Sequence, residues 1–345
     1  MKKALHVIFS IIKVLVVIAL IAMIAVLILF PPESDNGGDE ITSFNLGEPL
    51  KPEFSDTLTF DKGYLPDAND TQAKIEFATE LYEKACLNYK NAPQCLYAVD
   101  CKTEMTIMPG FLNMKMNVNG YRYQLKTDTE YYYTEYSVAP GGIGNLMQTL
   151  NLKTEDTMFA IRSYTNSDMD YLYTEKSLSP QFITDEETGE LEIVRDWSEG
   201  NMVTGYENQK AQPIYNKNQV GTYYQTDQTI NVNTIISADI TYNEEEGFYT
   251  LVLTLDVNNP ETTQNSIGNL RAGAGESANY DSMVETIEIW DNGYFRTFLS
   301  VDEWSAGAAM SSLLTYATTF YYDDAHMVTS TYMDFDEIKS IATTK

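Results

Sequence analysis

Residues 14–30 (VLVVIALIAMIAVLILF) form an unbroken run of 17 apolar residues, and no other feature limits the fold so tightly. A helix packed on a soluble core keeps a polar stripe, and this run has none. At 1.5 Å per residue it spans about 26 Å, which tilt or a few flanking residues extend to a hydrocarbon core of ~30 Å. Lys2, Lys3 and Lys13 precede it, and Glu33, Asp35, Asp39 and Glu40 follow it. The excess of Lys before the run predicts a cytoplasmic N-terminus and an extracellular C-terminal part, residues 31–345. The run ends Leu27-Ile28-Leu29-Phe30-Pro31-Pro32 with no small-x-small cleavage site, and the first cysteine is Cys86. The expectation is an uncleaved signal-anchor in the cell membrane, single-pass, with the lipid bilayer as partner of residues 14–30. The chain then divides into a tail (1–13), a transmembrane helix (14–30), an acidic Pro/Gly spacer (31–70) with a short ordered patch near Phe54–Phe60, and an extracellular domain (71–345).

Charge narrows the partners. The chain holds 50 Asp plus Glu, 22 Lys plus Arg and 2 His, a formal net charge of −28. Setting aside the three lysines of residues 1–30 leaves 19 basic against 50 acidic residues outside, or −31. Nucleic acid is excluded as a partner, because holding a phosphate backbone takes clustered Lys and Arg. With 43% hydrophobic residues and 25 Tyr the exterior part is no disordered acidic tail.

Within the exterior part the hydrophobic period changes once. Asp70-Thr71 opens a helical stretch whose Ile75, Ala78, Tyr82, Ala85, Cys86 and Tyr89 fall on one stripe, and Asn91-Ala92-Pro93 ends it. From Leu96 the period is two. Tyr97, Val99, Cys101, Thr103, Met105 and Ile107 alternate with Ala98, Asp100, Lys102, Glu104 and Thr106, which predicts one buried and one wet sheet face. Further strands are expected at 111–118, 121–126, 130–138, 158–164, 171–175 and 192–197. Hairpins are expected around 243–247 and around Asp291-Asn292-Gly293, the latter with a tight type I′ turn. A last hairpin is expected from 317–323 and 326–335, and a helical or loop insertion at 260–282. A sheet of this many strands curls or closes. The expected fold is therefore α+β: a strongly curved antiparallel β-sheet, a half-open barrel, covered by the N-terminal amphipathic helix and by the insertion.

The order of helix LYEKACLNYKNAP, strand YAVDCKTEM, Tyr-rich hairpin TDTEYYYTEYS and paired strands GFYTLVLTLDV and VETIEIWDNGYFRTFLSV resembles the LolA-like lipoprotein-carrier superfamily. It resembles more closely membrane-anchored extracellular proteins of Gram-positive bacteria and their wall-less relatives. The resemblance spans residues 71–335, rests on element order and carries no diagnostic motif. It implies a curved sheet that binds an acyl chain or lipoprotein. No binding residue transfers position by position, and the chain lacks the lipidated Cys of many such relatives.

Chemistry-bearing residues are sparse. Cys86, Cys95 and Cys101 lack neighbouring His, so no metal site is expected. Cys95 and Cys101 lie about 20 Å apart on an extended strand, beyond disulfide reach, which leaves Cys86 to pair with Cys101 or Cys95, or all three as thiols. His326 has no G-x-S-x-G or comparable nucleophile near it, and no phosphate loop or dinucleotide glycine pattern occurs. Fifty acids leave a carboxylate-dependent hydrolase open, but nothing selects a pair. Met105, Met114 and Met116 are candidates to line an adaptable apolar pocket. Tyr131-Tyr132-Tyr133, Tyr136, Tyr223-Tyr224 and Tyr321-Tyr322 place rings on both strand faces, either for cross-strand packing or for stacking on a ligand. The functional expectation is a non-catalytic extracellular binding protein for an apolar ligand, a lipid or an envelope partner, with no cofactor. The alternatives are a structural or adhesive envelope protein with a filled core, and the hydrolase.

Overall fold

A computed structural model describes residues 46–107, 112–138, 159–177, 181–184, 191–194, 197, 200–204, 224, 226–308, 310–324, 326 and 335–344. The expected membrane segment and its lysines lie outside the described residues. Among those described, no helix is long and apolar enough to cross a membrane.

The chain starts its regular structure with α1 (Thr71–Asn91). Asp70 caps it by accepting a hydrogen bond from the Ala73 amide at 2.9 Å. Strands β1 (Gln94–Ile107), β2 (Leu112–Lys126), β3 (Glu130–Val138), β4 (Phe159–Asn166) and β5 (Tyr171–Ser177) follow as a meander. A separate two-stranded ribbon of β6 (Gln181–Thr184) and β7 (Leu191–Val194) precedes β8 (Asn201–Thr204). The second meander is β9 (Ile235–Asn243), β10 (Phe248–Leu255), β11 (Ala278–Trp290), β12 (Phe295–Ala306) and β13 (Met310–Tyr321). Helices α2 (Pro260–Thr263) and α3 (Ile267–Ala274) interrupt it, and α4 (Phe335–Thr344) comes last.

The two meanders make one 11-stranded sheet in the order β8-β5-β4-β3-β2-β1-β13-β12-β11-β10-β9. Every pairing is antiparallel, and β1 joins the halves by pairing with both β2 and β13. The expected antiparallel sheet is present. It is open, with β8 and β9 as its edges. A seam formed by the first and last strands leaves each meander free to end at an edge.

The covers also differ from expectation. Helix α1 packs over the second meander, where Ile75, Ala78, Leu81, Tyr82, Ala85 and Tyr89 bury against Tyr249, Leu251, Leu253, Ile287, Phe295, Phe298 and Phe320. The expected insertion supplies α3, whose Leu270 and Ala274 pack near Ala278, Trp304 and Ala306. A third cover was not read from the sequence: α4 begins at Phe335, the last residue of the strand expected at 326–335. Residues 327–334 lie outside the described ones. Helix α4 buries Ile338 and Ala342 against Leu96, Tyr123, Tyr132 and Tyr164. The register puts Leu96 and Tyr123 on the face opposite Tyr97, so α1 and α4 cover opposite faces of one sheet. This corrects the wet face predicted for β1 only at its start: Leu96 and Ala98 are buried like Cys95 and Tyr97, in the cluster that holds Ile338 and Ala342 of α4, while Lys102 and Glu104 on the same face are exposed as expected.

Candidate binding groove

Under α1 the interior is full. Tyr224 inserts between the sheet and the helix, with ring centroids 5.1 Å from Phe295, 5.1 Å from Phe320, 5.3 Å from Phe298 and 5.9 Å from Tyr97. Its hydroxyl lies 3.3 Å from Thr318 Oγ1, which spares the buried oxygen an unpaired state. The space that a carrier-like reading would give to an acyl chain is occupied, among the described residues, by aromatic side chains of the protein.

The opening lies on the other face. A half-open depression of about 410 Å³ sits over β1, β13 and β12. Its floor is made of small side chains brought level by register: Ala98 faces Thr319, Thr319 faces Thr297, and Asp100 faces Ala317. Larger residues at these positions would fill it. Its wall is the segment Gly47–Pro49, held there because Tyr321 donates from its hydroxyl to the Gly47 carbonyl at 3.0 Å.

That wall continues as a strap around the end of the sheet, in a stretch read from the sequence as part of the spacer. Lys51 pairs with Asp291, and Asn292 Nδ2 donates to the Pro52 carbonyl at 2.8 Å. Asn88 Nδ2 donates both to Thr57 Oγ1 and to the Gly293 carbonyl, each at 2.6 Å. Beyond the turn, the Phe60 and Phe77 rings pack at a tilt with centroids 4.7 Å apart, and the Gly63 amide donates to the Tyr249 hydroxyl at 2.7 Å. The strap thus explains why Phe77 is buried although it lies off the apolar stripe read for the helix.

The groove is acidic at its rim. Arg296 is its main cation, but the guanidinium pairs with Glu288, with Glu48 at 3.2 Å and with Glu246 at 3.5 Å, and it lies over the Phe248 and Trp290 rings. One positive charge faces three carboxylates. At the opposite end Asp100 is paired with Lys102 at 2.9 Å. The sum is an excess of negative charge beside small, mostly uncharged floor residues.

The residues singled out from sequence lie elsewhere. Met105 shares the face of Tyr97, opposite the groove, and packs near Trp304 and Ala306. Met114 and Met116 sit on β2 across from Met105 and Thr103; their side chains lie outside those described. Cys86, Cys95 and Cys101 are free thiols. Burial pushes Cys86 up to about 12 and Cys101 up to about 11, so neither is a thiolate at neutral pH. His326 Nδ1 lies 2.8 Å from both Asp323 carboxylate oxygens and its ring packs on Tyr321. The tyrosine pairs resolve toward packing: Tyr131, Tyr132, Tyr224, Tyr321 and Tyr322 are all buried. The groove residues went unread because Ala and Thr carry no chemical signature; their only trace was their place on the face assigned to solvent.

No family model and no curated protein matches the chain. Among solved structures, a DUF1329 family protein from Desulfovibrio piger is similar at 8% identity, covering 76% of this chain and 98% of its own, with a TM-score of 0.22. The outer membrane protein Omp33 of Acinetobacter baumannii is similar at 9% identity over 66% of this chain and 97% of its own, with a TM-score of 0.16. Superpositions this loose carry neither fold nor function across, and the LolA-like resemblance stays at the level of element order.

Proposed function

We propose that the chain is a non-catalytic binding protein displayed outside a membrane, and that it holds an extended segment of an envelope partner in the groove over β1, β13 and β12. The observation that carries this reading is the combination of a filled interior and an open groove of about 410 Å³ on the opposite face. A lipid or other apolar ligand is the less favoured occupant, because the groove floor is Ala and Thr and its rim is charged. The excess of carboxylates around Arg296 favours a partner segment that is neutral or basic. The apolar run 14–30 with Lys2, Lys3 and Lys13 before it supplies the anchor in this reading.

The test uses the full-length chain in its own membrane. A photo-crosslinking side chain placed at Thr297 should capture a discrete partner. The double substitution A98L/A317L, which fills the floor, should remove that capture while leaving the thermal midpoint of the domain within a few degrees. Capture that is unchanged by filling the groove would sink the proposal.

A further inference from the structure

On the α1 face, between the aromatic core and the Trp304 cluster, the strands carry acids where an apolar residue is expected. Glu285 stands in the series Met283, Ile287, Ile289, and Asp302 in the series Phe298, Trp304, Ala306. Glu285 is 0% exposed and Asp302 1% exposed, so no substrate reaches either carboxyl. Glu285 faces Ser300 across the β11–β12 pair. Ser300 Oγ lies 3.1 Å from Glu285 Oε1 and 3.2 Å from Asp302 Oδ1.

A hydroxyl has one hydrogen and can satisfy one of those two oxygens. With both acids ionised, the other contact would set lone pair against lone pair in a buried site. A proton on one acid removes the conflict: the Glu285 carboxyl donates to Ser300 Oγ, and the Ser300 hydroxyl donates to Asp302. The second Asp302 oxygen accepts from Gln228 Nε2, while Glu285 Oε2 has no partner, which a neutral carboxyl tolerates far better than a carboxylate.

We infer that Glu285, Ser300 and Asp302 form a buried proton-binding site that holds a shared proton at neutral pH. The groups that face the pair offer no counter-charge. They are Asp227 beside Gln228, Tyr82 of α1, Cys101 of β1 and Tyr280 of β11. Among the described residues neither acid takes part in an ion pair. Burial, reinforced by Asp227, pushes Asp302 up to about 7, and burial together with the Asp302 charge holds Glu285 well above the carboxylate range.

The sign follows from linkage. Both acids titrate near 4 when unfolded, so the folded chain binds more protons between about pH 4 and 7 and loses stability as pH rises through that window.

The experiment compares the full-length chain in detergent with E285Q and D302N. At pH 7 the wild type should show the infrared carbonyl band of a protonated carboxylic acid, and E285Q should lack it. Between pH 5 and 8 the wild-type thermal midpoint should fall more steeply than that of E285Q, by the equivalent of about one proton. D302N reads the same slope should E285Q fail to fold. A wild type without the band and with the slope of its variants would overturn the inference. So would a midpoint that responds to added sodium or calcium ions instead of to protons.

Discussion

Gly293 shows how a single residue ties strap, helix and sheet together. It closes the β11–β12 hairpin at φ 88°, donating from its amide to the Trp290 carbonyl at 2.7 Å. The loop holds three residues between Trp290 and Tyr294, whose backbones pair at 2.8 Å, in place of the two-residue turn expected from Asn-Gly. A Cβ here would lie 2.7 Å from Thr57 Oγ1 and 2.8 Å from Asn88 Nδ2, the atoms that hold the strap. Gly293→Ala should therefore lower stability by about 1–3 kcal/mol for the backbone strain alone, read by chemical denaturation. Tyr224→Ala should cost more, about 3–5 kcal/mol, because it empties the centre of the aromatic cluster. The thiols give a third residue-scale outcome. Cys95 is buried and Cys86 and Cys101 are half-buried with their thiols held neutral, so all three should react slowly with an alkylating reagent at pH 8 in the native chain and fully after unfolding.

At the scale of elements, α4 decides how the first meander is covered. Arg162 of β4 is 1% exposed. Its Nε donates to Glu175 and its Nη1 to Glu337 of α4, each at 2.7 Å, and its guanidinium lies 4.3 Å over the Trp197 ring. Glu175 also accepts from the Tyr173 hydroxyl at 2.8 Å. Arg162→Ala leaves Glu175 buried without its charge partner, an expected loss of about 3–5 kcal/mol. Amide exchange should locate that loss in β3–β5 and α4, leaving β9–β12 protected; uniform loss across the sheet would contradict the division of covers.

The same element marks where sequence reading stopped. Period two along β1, β10, β11 and β12 and period 3.6 along α1 identified those elements, because each keeps one face more buried than the other along most of its length. The last expected strand, 326–335, meets α4 only at Phe335, and no helix was read over 336–344 because its packing neighbours are distant in the chain. Only Ile338 and Ala342 are buried among ten residues, and its ion pairs to Glu130 and Arg162 come from tertiary contact. The strap was read as spacer with only a short ordered patch near Phe54–Phe60, because Pro, Asp and Gly dominate it; in that patch Phe54 packs beside Tyr294 and Phe60 beside Phe77. Of the candidate groove, the outward direction of Ala98 and Asp100 was legible and the concavity was not, since a depression arises from several small residues meeting across strands. The Glu285–Asp302 pair left a visible mark, acids at inward positions of two apolar series.

For the whole molecule, one sheet is shielded by elements from both ends of the domain on opposite faces. The strap and α1 close one side over the second meander, and α4 closes the other side over the first. Between the two covers, on the face of α4, the groove over β1, β13 and β12 is open, and this is where binding is proposed. Among the described residues the space under α1 is packed with Tyr and Phe rings, so in this reading a ligand sits outside it. Native mass spectrometry of the full-length chain released from its own membrane tests this most directly. The predicted result is the bare protein mass once detergent is stripped, with no bound lipid. A one-to-one lipid adduct that survives stripping, and that persists in A98L/A317L, would contradict the filled interior and return the chain to a lipid-carrier reading.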